Sequence, residues 1–156
     1  MGSLLMEKVG IHGLNKVSME LILKDIHSNP SANRAGAIAC FIGIVREFSH
    51  AGDKVEDLKY QAYEDKAVEV MSRIREDVCR KEGIVDVHIH HVVGDKFTIG
   101  DEVLYVAVAG RSRSDVFPVL EETVQRVKKE VPIYKKEKLT DGTTYWVAED
   151  FHKPSP

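Results

Sequence analysis

The sequence is short of cysteine and contains no long apolar run. Its two cysteines, Cys40 and Cys79, are far apart and lack Cys-x-x-Cys spacing, which argues against a disulfide framework or a zinc motif. Because each lies in an apolar periodic segment, we predict two buried, unreactive thiols. No apolar stretch approaches the ~18 residues of a membrane span, and the opening segment MGSLLMEKVG lacks the apolar core and cleavage site of a secretory leader. We therefore expect a cytoplasmic protein with no membrane partner.

Repeats and low-complexity tracts are also absent from the sequence. The apolar and charged fractions, 43% and 30%, are ordinary for a globular protein, so the composition indicates neither disorder nor a fibre. A chain of 156 residues is long enough to bury a core and most often forms one domain. We predict a single domain over residues 1–156, with irregular ends at 1–12 and 150–156.

Hydrophobic periodicity predicts the secondary structure between these ends. The near-continuous apolar segments 37–45 and 103–110 are typical of strands covered on both faces, whereas 55–63 alternates like a half-buried strand. Caps and turn residues add the other elements: a helix from Ser18 to Ser28, a helix over 64–82, a strand over 84–93, a helix from the segment RSRSD to Val131, and a terminal hairpin around Asp141 and Gly142. This order mixes hairpins with helices, which predicts an α+β fold with the helices mainly on one face of the sheet.

Three histidines stand close together in the predicted strand over 84–93. His88 and His90 would share one face of the strand and could in principle bind a metal. The sequence offers no third ligand at a recognisable spacing and no accompanying cysteine or carboxylate cluster. We therefore predict that His88, His90 and His91 lie on the solvent face of the strand and that no metal is bound.

Arginines follow two of the apolar strands. Arg46 lies in the segment GIVRE, at the end of the first strand, and Arg111 and Arg113 lie in GRSRSD, which opens a helix. Arginine beside a helix N-terminus commonly binds phosphate or carboxylate, although surface salt bridges explain the same pattern. Lysines lie at the other end of this helix, about 20 Å away at ~1.5 Å per residue. Both ends can serve one small ligand only if a dimer brings opposite ends together; otherwise the two ends have different roles.

The stretch KKEVPIYKKE, residues 128–137, concentrates positive charge. Residues 126–138 contain six basic and two acidic side chains, a net charge of +4 against −3 for the whole chain, so the remainder carries −7. One basic stretch on an acidic body suits a small anion better than nucleic acid, and aromatic residues are not interleaved with it. A solvated helix end is the alternative. Lys128 and Lys135 flank Pro132, so both ammonium groups can face one pocket, with Tyr134 as a wall.

Four ordered stretches lie between residues 35 and 149: AGAIACFIGIVRE, VGDKFTIGDEVLYVAVAG, SRSDVF, and VKKEVPIYKKE followed by DGTTYWVAE. Together they resemble the large subunit of molybdopterin synthase, the MoaE family. The last stretch contains the family's two lysines seven residues apart around a proline-x-aromatic sequence. Two positions depart from the family pattern, since Ser112 precedes Arg113 where histidine is frequent, and Tyr145 precedes the hairpin tryptophan where arginine is frequent.

The resemblance implies a fold, an activity and partners. The fold is a helix-backed mixed or antiparallel sheet with a smaller antiparallel subdomain, of the alpha/beta-hammerhead type. The activity is sulfur transfer to cyclic pyranopterin monophosphate, which forms the dithiolene of molybdopterin, with no bound cofactor or metal. The sulfur arrives as a thiocarboxylate on the Gly-Gly C-terminus of a small ubiquitin-like subunit. The resemblance further implies a homodimer that binds two small subunits as a heterotetramer.

The resemblance also assigns roles to residues of this chain. Lys128 and Lys135 match the catalytic lysines, and their cations would stabilise developing negative charge. The implied substrate-binding residues are Arg46, Arg113, Ser112, Lys136 and Tyr134. A non-enzymatic anion-binding or regulatory α+β module is the competing hypothesis, and it would tolerate arginine in place of both lysines.

Overall fold

The structure is a computed structural model that describes residues 6–147, and these residues form two four-stranded sheets and three α-helices. The strands are β1 Val9–His12, β2 Ala37–Ile44, β3 Val55–Ala62, β4 Ile84–Val92, β5 Gly94–Phe97, β6 Glu102–Gly110, β7 Ile133–Leu139 and β8 Thr144–Val147. The helices are α1 Met19–His27, α2 Glu64–Cys79 and α3 Arg113–Glu130. The predicted α+β class is confirmed.

The first sheet has the strand order β1-β4-β6-β2. β1 pairs with β4 in parallel, and the other pairs are antiparallel. The prediction of an irregular segment over residues 1–12 is wrong for Val9–His12, because this segment obtains its hydrogen bonds from β4, about 80 positions further along the chain. A four-residue strand with polar and apolar residues has too little periodicity to be recognised locally. The predicted irregular end 150–156 lies outside the described residues.

Helices cover both faces of the first sheet. α2 and α3 pack against one face, where Val70, Met71 and Ile74 of α2 are buried with Val87 and Val106 of the sheet. α1 lies on the other face, where its Ile22 and Ile26 are buried in a second cluster with Ala107 and Ala109. Two of the three helices thus share a face, as predicted.

The edge strand β2 is less covered than its sequence predicts. Cys40, Ile42 and Ile44 are exposed. Ala39, which points to the opposite face of the strand, is buried in the cluster formed with α2 and α3. Cys40 pairs with Ala107 of β6, which α1 covers, but the cover does not extend across to the sheet edge. The prediction that this strand is buried on both faces is therefore wrong, and so is the prediction that Cys40 is buried. Cys79 is half-buried, and both thiols are unpaired.

The second sheet is antiparallel and has the strand order β5-β3-β7-β8. It forms the predicted smaller antiparallel unit, and its last two strands form the predicted hairpin. Gly142 at the hairpin turn has a φ of +90°, whereas Asp141 is not in the left-handed region; its Oδ1 accepts a hydrogen bond from the Thr143 amide at 2.8 Å. No helix within residues 6–147 is long and apolar enough to cross a membrane.

Candidate active site

A cavity of about 450 Å³ lies where the two sheets and the end of α3 meet. Its apolar wall comes mainly from β2, β3 and β6. Its polar lining consists of Arg46, His50, Tyr60, His91, Lys128, Lys135 and Glu137. The lining thus contains three basic side chains, Arg46, Lys128 and Lys135, and one carboxylate, Glu137. This excess of positive charge makes the cavity suited to binding an anion.

The end of α3 and the start of β7 position the two lysines. Lys128 lies in the last turn of α3, and the helix stops before Pro132 because proline cannot continue the hydrogen-bond ladder. β7 then begins at Ile133, and its alternating side chains direct Ile133, Lys135 and Glu137 to the cavity. The predicted meeting of Lys128 and Lys135 in one pocket is what the structure shows.

Tyr134 and Lys136 lie on the opposite face of β7 and do not line this cavity. The Tyr134 ring contacts Tyr63 edge to face, with 6.0 Å between ring centroids, and the Lys136 ammonium lies 5.5 Å from the centre of the Trp146 ring. The prediction of Tyr134 as a wall of the lysine pocket is therefore wrong, because successive side chains of a strand point to opposite faces.

The predicted anion-binding arginines separate into two places. Arg46 follows β2 and lines the cavity with the two lysines. Arg113 is exposed at the first residue of α3, about 20 Å from Lys128 at 1.5 Å per helical residue. Neighbouring Ser112 donates a hydrogen bond to Asp115 at 3.1 Å, so its hydroxyl stabilises the helix start. Within one chain, Ser112 and Arg113 do not reach the lysine cavity.

Tyr145, which stands where the family pattern has arginine, supports the wall of the cavity. Its hydroxyl donates a hydrogen bond to the buried carboxylate of Glu137 at 2.5 Å. This hydrogen bond, with lesser burial, raises the pKa of Tyr145. The phenol thus stabilises a carboxylate that lines the cavity, a role that could not be deduced from the hairpin sequence.

His91 is one of four polar residues of the cavity that the sequence did not predict; the other three are His50, Tyr60 and Glu137. The prediction that His88, His90 and His91 face solvent is wrong, since all three side chains are buried. Burial lowers the pKa of His91 to about 4. The positive charges of Lys128 and Lys135 act in the same direction, whereas the hydrogen bond to the Val92 carbonyl acts against it. The ring is therefore neutral at pH 7.

The other two histidines belong to a buried hydrogen-bonded row on the α1 side of the sheet. His88 donates to Asp25 at 2.8 Å, His88 and His90 are joined at 2.9 Å, and His90 and His12 at 2.8 Å. Burial lowers the pKa of His90 to about 3, helped by its histidine neighbours. The row runs from a buried carboxylate to the partly buried His12.

Carboxylates accompany this row, contrary to the sequence expectation. Asp25, Asp86 and His88 place potential ligand atoms within 4.8 Å of one another. The Lys8 ammonium already bridges the two carboxylates at 2.7 and 3.0 Å, and Arg75 also binds Asp86, at 3.1 Å. Burial disfavours ionisation of Asp25, but the hydrogen bonds from Lys8 and His88 outweigh it and hold its pKa below the usual range. Two basic side chains, Lys8 and Arg75, thus pair with the two carboxylates.

Fold and cavity together define a class of protein. It is an α+β protein with an anion-binding pocket, lined by basic side chains, between a mixed sheet and an antiparallel sheet. The chain belongs to the MoaE protein family, whose model matches residues 15–130. The sequence is 36% identical over 124 residues to the molybdopterin synthase catalytic subunit of Pyrococcus abyssi, covering 80% of this chain and 82% of that protein.

Solved structures agree with this assignment. The molybdopterin synthase of Staphylococcus aureus superimposes with a TM-score of 0.77 at 28% identity, covering 91% of this chain and 98% of that one. A complex of subunits 1 and 2 of molybdopterin-converting factor from Helicobacter pylori has a TM-score of 0.71 at 20% identity, with 92% of each chain covered, and shows the same fold. The resemblance seen in the sequence is confirmed, and so is its implication of an enzyme rather than a regulatory module.

Proposed function

We propose that the chain is the catalytic subunit of a molybdopterin synthase and that its reaction takes place in the cavity containing Lys128 and Lys135. Sulfur passes from the C-terminal thiocarboxylate of a small ubiquitin-like subunit to cyclic pyranopterin monophosphate and forms the dithiolene. The convergence of Lys128, Lys135 and Arg46 in one cavity of about 450 Å³ carries this proposal, because both reactants are anions. We place the reaction in the cytoplasm.

The cations of the cavity supply binding and transition-state stabilisation. A thiocarboxylate that enters the cavity meets the Lys128 and Lys135 ammonium groups, which donate hydrogen bonds and accept none. As its sulfur attacks the pterin, negative charge develops on the substrate, and fixed cations in a partly enclosed site stabilise that charge. No resident cofactor or metal is required, since both reacting groups belong to the substrates.

The sulfur in this proposal does not come from the chain itself. Neither Cys40 nor Cys79 lines the cavity. Desolvation raises the pKa of half-buried Cys79 and also that of Cys40, although Cys40 is exposed at the sheet edge, so the reactive thiolate form is disfavoured at neutral pH. This agrees with delivery of activated sulfur by the partner.

A homodimer would reconcile the two separated groups of basic residues. Ser112 and Arg113 lie at one end of α3 and the lysine cavity lies at the other. Ile42 and Ile44 on the edge strand are 39% and 57% exposed and border the cavity, and Phe117 near Arg113 is 60% exposed. We infer that these apolar side chains are covered by a second copy, which brings its Arg113 to the cavity to bind substrate phosphate. Two small subunits then complete a heterotetramer.

The experiment is reconstitution from purified components. The chain is mixed with cyclic pyranopterin monophosphate and a thiocarboxylated small subunit ending in Gly-Gly, and dithiolene product is measured. We expect product only when all three are present. Product from free sulfide without the small subunit would show that the proposed sulfur route is wrong.

A further inference from the structure

His91 occupies a defined position in the cavity. It lies near the end of β4, opposite Leu104 of β6, and its side chain is on the sheet face that α3 covers. The residue is only 7% exposed, yet it lines the cavity together with Lys128 and Lys135. The structure therefore holds an imidazole within the same enclosure as the two lysines.

The hydrogen bond of His91 fixes its tautomer. Its Nδ1 lies 2.8 Å from the Val92 carbonyl oxygen. Because a carbonyl oxygen only accepts, Nδ1 carries the proton, and the neutral ring has its lone pair on Nε2. The edge contact with Tyr60, at 5.0 Å between ring centroids, restrains the ring. His91 is thus an oriented proton acceptor.

The surroundings of His91 include few other groups that could accept a proton. The charged and titratable side chains that share its cavity are Arg46, His50, Tyr60, Lys128, Lys135 and Glu137. Ammonium and guanidinium groups are donors only. The Glu137 carboxylate accepts the Tyr145 hydroxyl, and His50 lies on the exposed loop after β2. Among these groups, His91 combines burial, a fixed orientation and an accepting nitrogen.

The proposed reaction requires such an acceptor after the sulfur has been transferred. Once sulfur is bonded to the pterin, it is still bonded to the acyl carbon of the partner's C-terminus. Release needs water: its oxygen bonds to the acyl carbon, the carbon–sulfur bond breaks, and the sulfur keeps the electron pair on the pterin. The partner is left with a carboxylic acid, which then loses its own proton to solvent. One proton of the water must be removed as the carbon–oxygen bond forms.

We propose that His91 is a catalytic residue, the general base whose Nε2 takes this proton from water. The assignment rests on the proposed function and extends it by one step. Bound anions offset the positive charges of Lys128 and Lys135, so the imidazole becomes more basic when substrate is present than in the empty cavity. The base is thereby strengthened when it is needed.

The decisive variant is His91→Gln, which keeps a polar side chain of similar size but has no nitrogen that can act as a base. Its single-turnover rate with precursor and thiocarboxylated partner should fall ~10²–10⁴-fold, the usual contribution of general base catalysis. A species in which partner and pterin remain joined through sulfur should accumulate and be detected by intact-mass measurement. His27→Gln, at an exposed histidine of α1, is the control and should behave as wild type.

Two further measurements do not depend on the folding of that variant. The wild-type single-turnover rate should decrease at acid pH as His91 becomes protonated, and imidazole in solution should partly restore His91→Ala. If wild type makes no dithiolene at all, the proposed function itself fails. Three results with an active wild type would overturn only the role of His91. They are a wild-type rate that does not change at acid pH, a folded His91→Gln variant with the wild-type rate, and a His91→Gln variant that accumulates no species in which partner and pterin are joined.

Discussion

Lys135 and Lys136 are neighbours in β7, yet they lie on opposite faces of the second sheet: Lys135 lines the cavity, and Lys136 packs over the Trp146 ring at 5.5 Å. The pair forms a comparison within one strand, since the two side chains have the same charge and size. Their difference in position, rather than in chemistry, decides their expected roles.

Lys135→Ala should abolish turnover and Lys128→Ala should reduce it severely, because removing one positioned donor to developing charge costs ~10²–10³ in rate. Lys136→Ala should have a much smaller effect, although the family resemblance assigns Lys136 to substrate binding. Rates are measured with precursor and thiocarboxylated partner.

Lys129→Ala is the matched control for Lys128, because it removes an exposed lysine from the same helix turn without touching the cavity. Circular dichroism checks that each variant is folded. Near-wild-type rates for both cavity variants would remove the basis of the site assignment.

Mixed dimers test whether Arg113 acts in the cavity of a second copy. Lys135→Ala and Arg113→Ala should each be inactive or strongly impaired alone. After unfolding and refolding together, half of the dimers contain one copy of each, and one of their two sites combines an intact Lys135 with an intact Arg113. Roughly a quarter of the wild-type activity should therefore return.

The same preparations are examined by light scattering, which should show a dimer of the wild-type chain at micromolar concentration. A monomer would contradict the dimer. A dimer whose mixed preparation regains no activity would show that Arg113 does not complete the site of its partner.

The double variant Cys40→Ser, Cys79→Ser should still convert the precursor when thiocarboxylated small subunit is supplied. Neither thiol lines the cavity, and partial desolvation raises the pKa of both. A small loss of stability is expected at half-buried Cys79, where a hydroxyl replaces a thiol. Dithiolene formation by the folded variant is the measurement, and its absence would show that a cysteine carries the sulfur.

The buried histidines should make the fold less stable in acid. The pKa values of His90 and His91 are lowered to about 3 and about 4 in the folded chain, from 6.5 in the unfolded chain. The unfolded chain therefore binds more protons below pH 6.5, so the stability present above that pH is lost as the pH falls toward these folded-state values. Each histidine contributes a slope of about 1.4 kcal/mol per pH unit within this window.

Urea unfolding at pH 7.5, 6.5 and 5.5 measures this dependence. The free energy of unfolding should decrease between pH 6.5 and 5.5, and His91→Gln should show a smaller decrease than wild type. His27→Gln, at an exposed position, should keep the wild-type dependence. A pH-independent free energy of unfolding in all three proteins would contradict the burial of ionisable histidines.

The lysine pair of the site could be predicted from the sequence because its placement depends on local rules. Pro132 lies between the end of α3 and the first residue of β7, so Lys128 and Lys135 are brought together by a short connection. The error at Tyr134 was also local, since strand alternation alone separates Tyr134 from Lys135. The separation of the two ends of α3, on the order of 20 Å, likewise follows from the local rise of ~1.5 Å per residue.

The histidines and the edge strand could not be predicted in this way. His88 is a polar residue, and its burial is possible because it donates a hydrogen bond to Asp25 of α1, whose charge is in turn paired with Lys8 before β1. Cys40 lies in a strand as apolar as β6, but β2 is at the edge and α1 does not cover it. In both cases burial depends on how separate helices and strands pack, which the local sequence does not show.

The sequence by itself determined the helices and most strands, the α+β class and the pair of lysines around Pro132, because backbone hydrogen bonding, periodicity and turn chemistry act over a few residues. The tertiary structure decided which strand became an edge, which polar groups were buried and which side chains share the cavity with the lysines. Burial and electrostatic pairing depend on contacts between residues far apart in sequence, and those contacts exist only once the sheets have assembled.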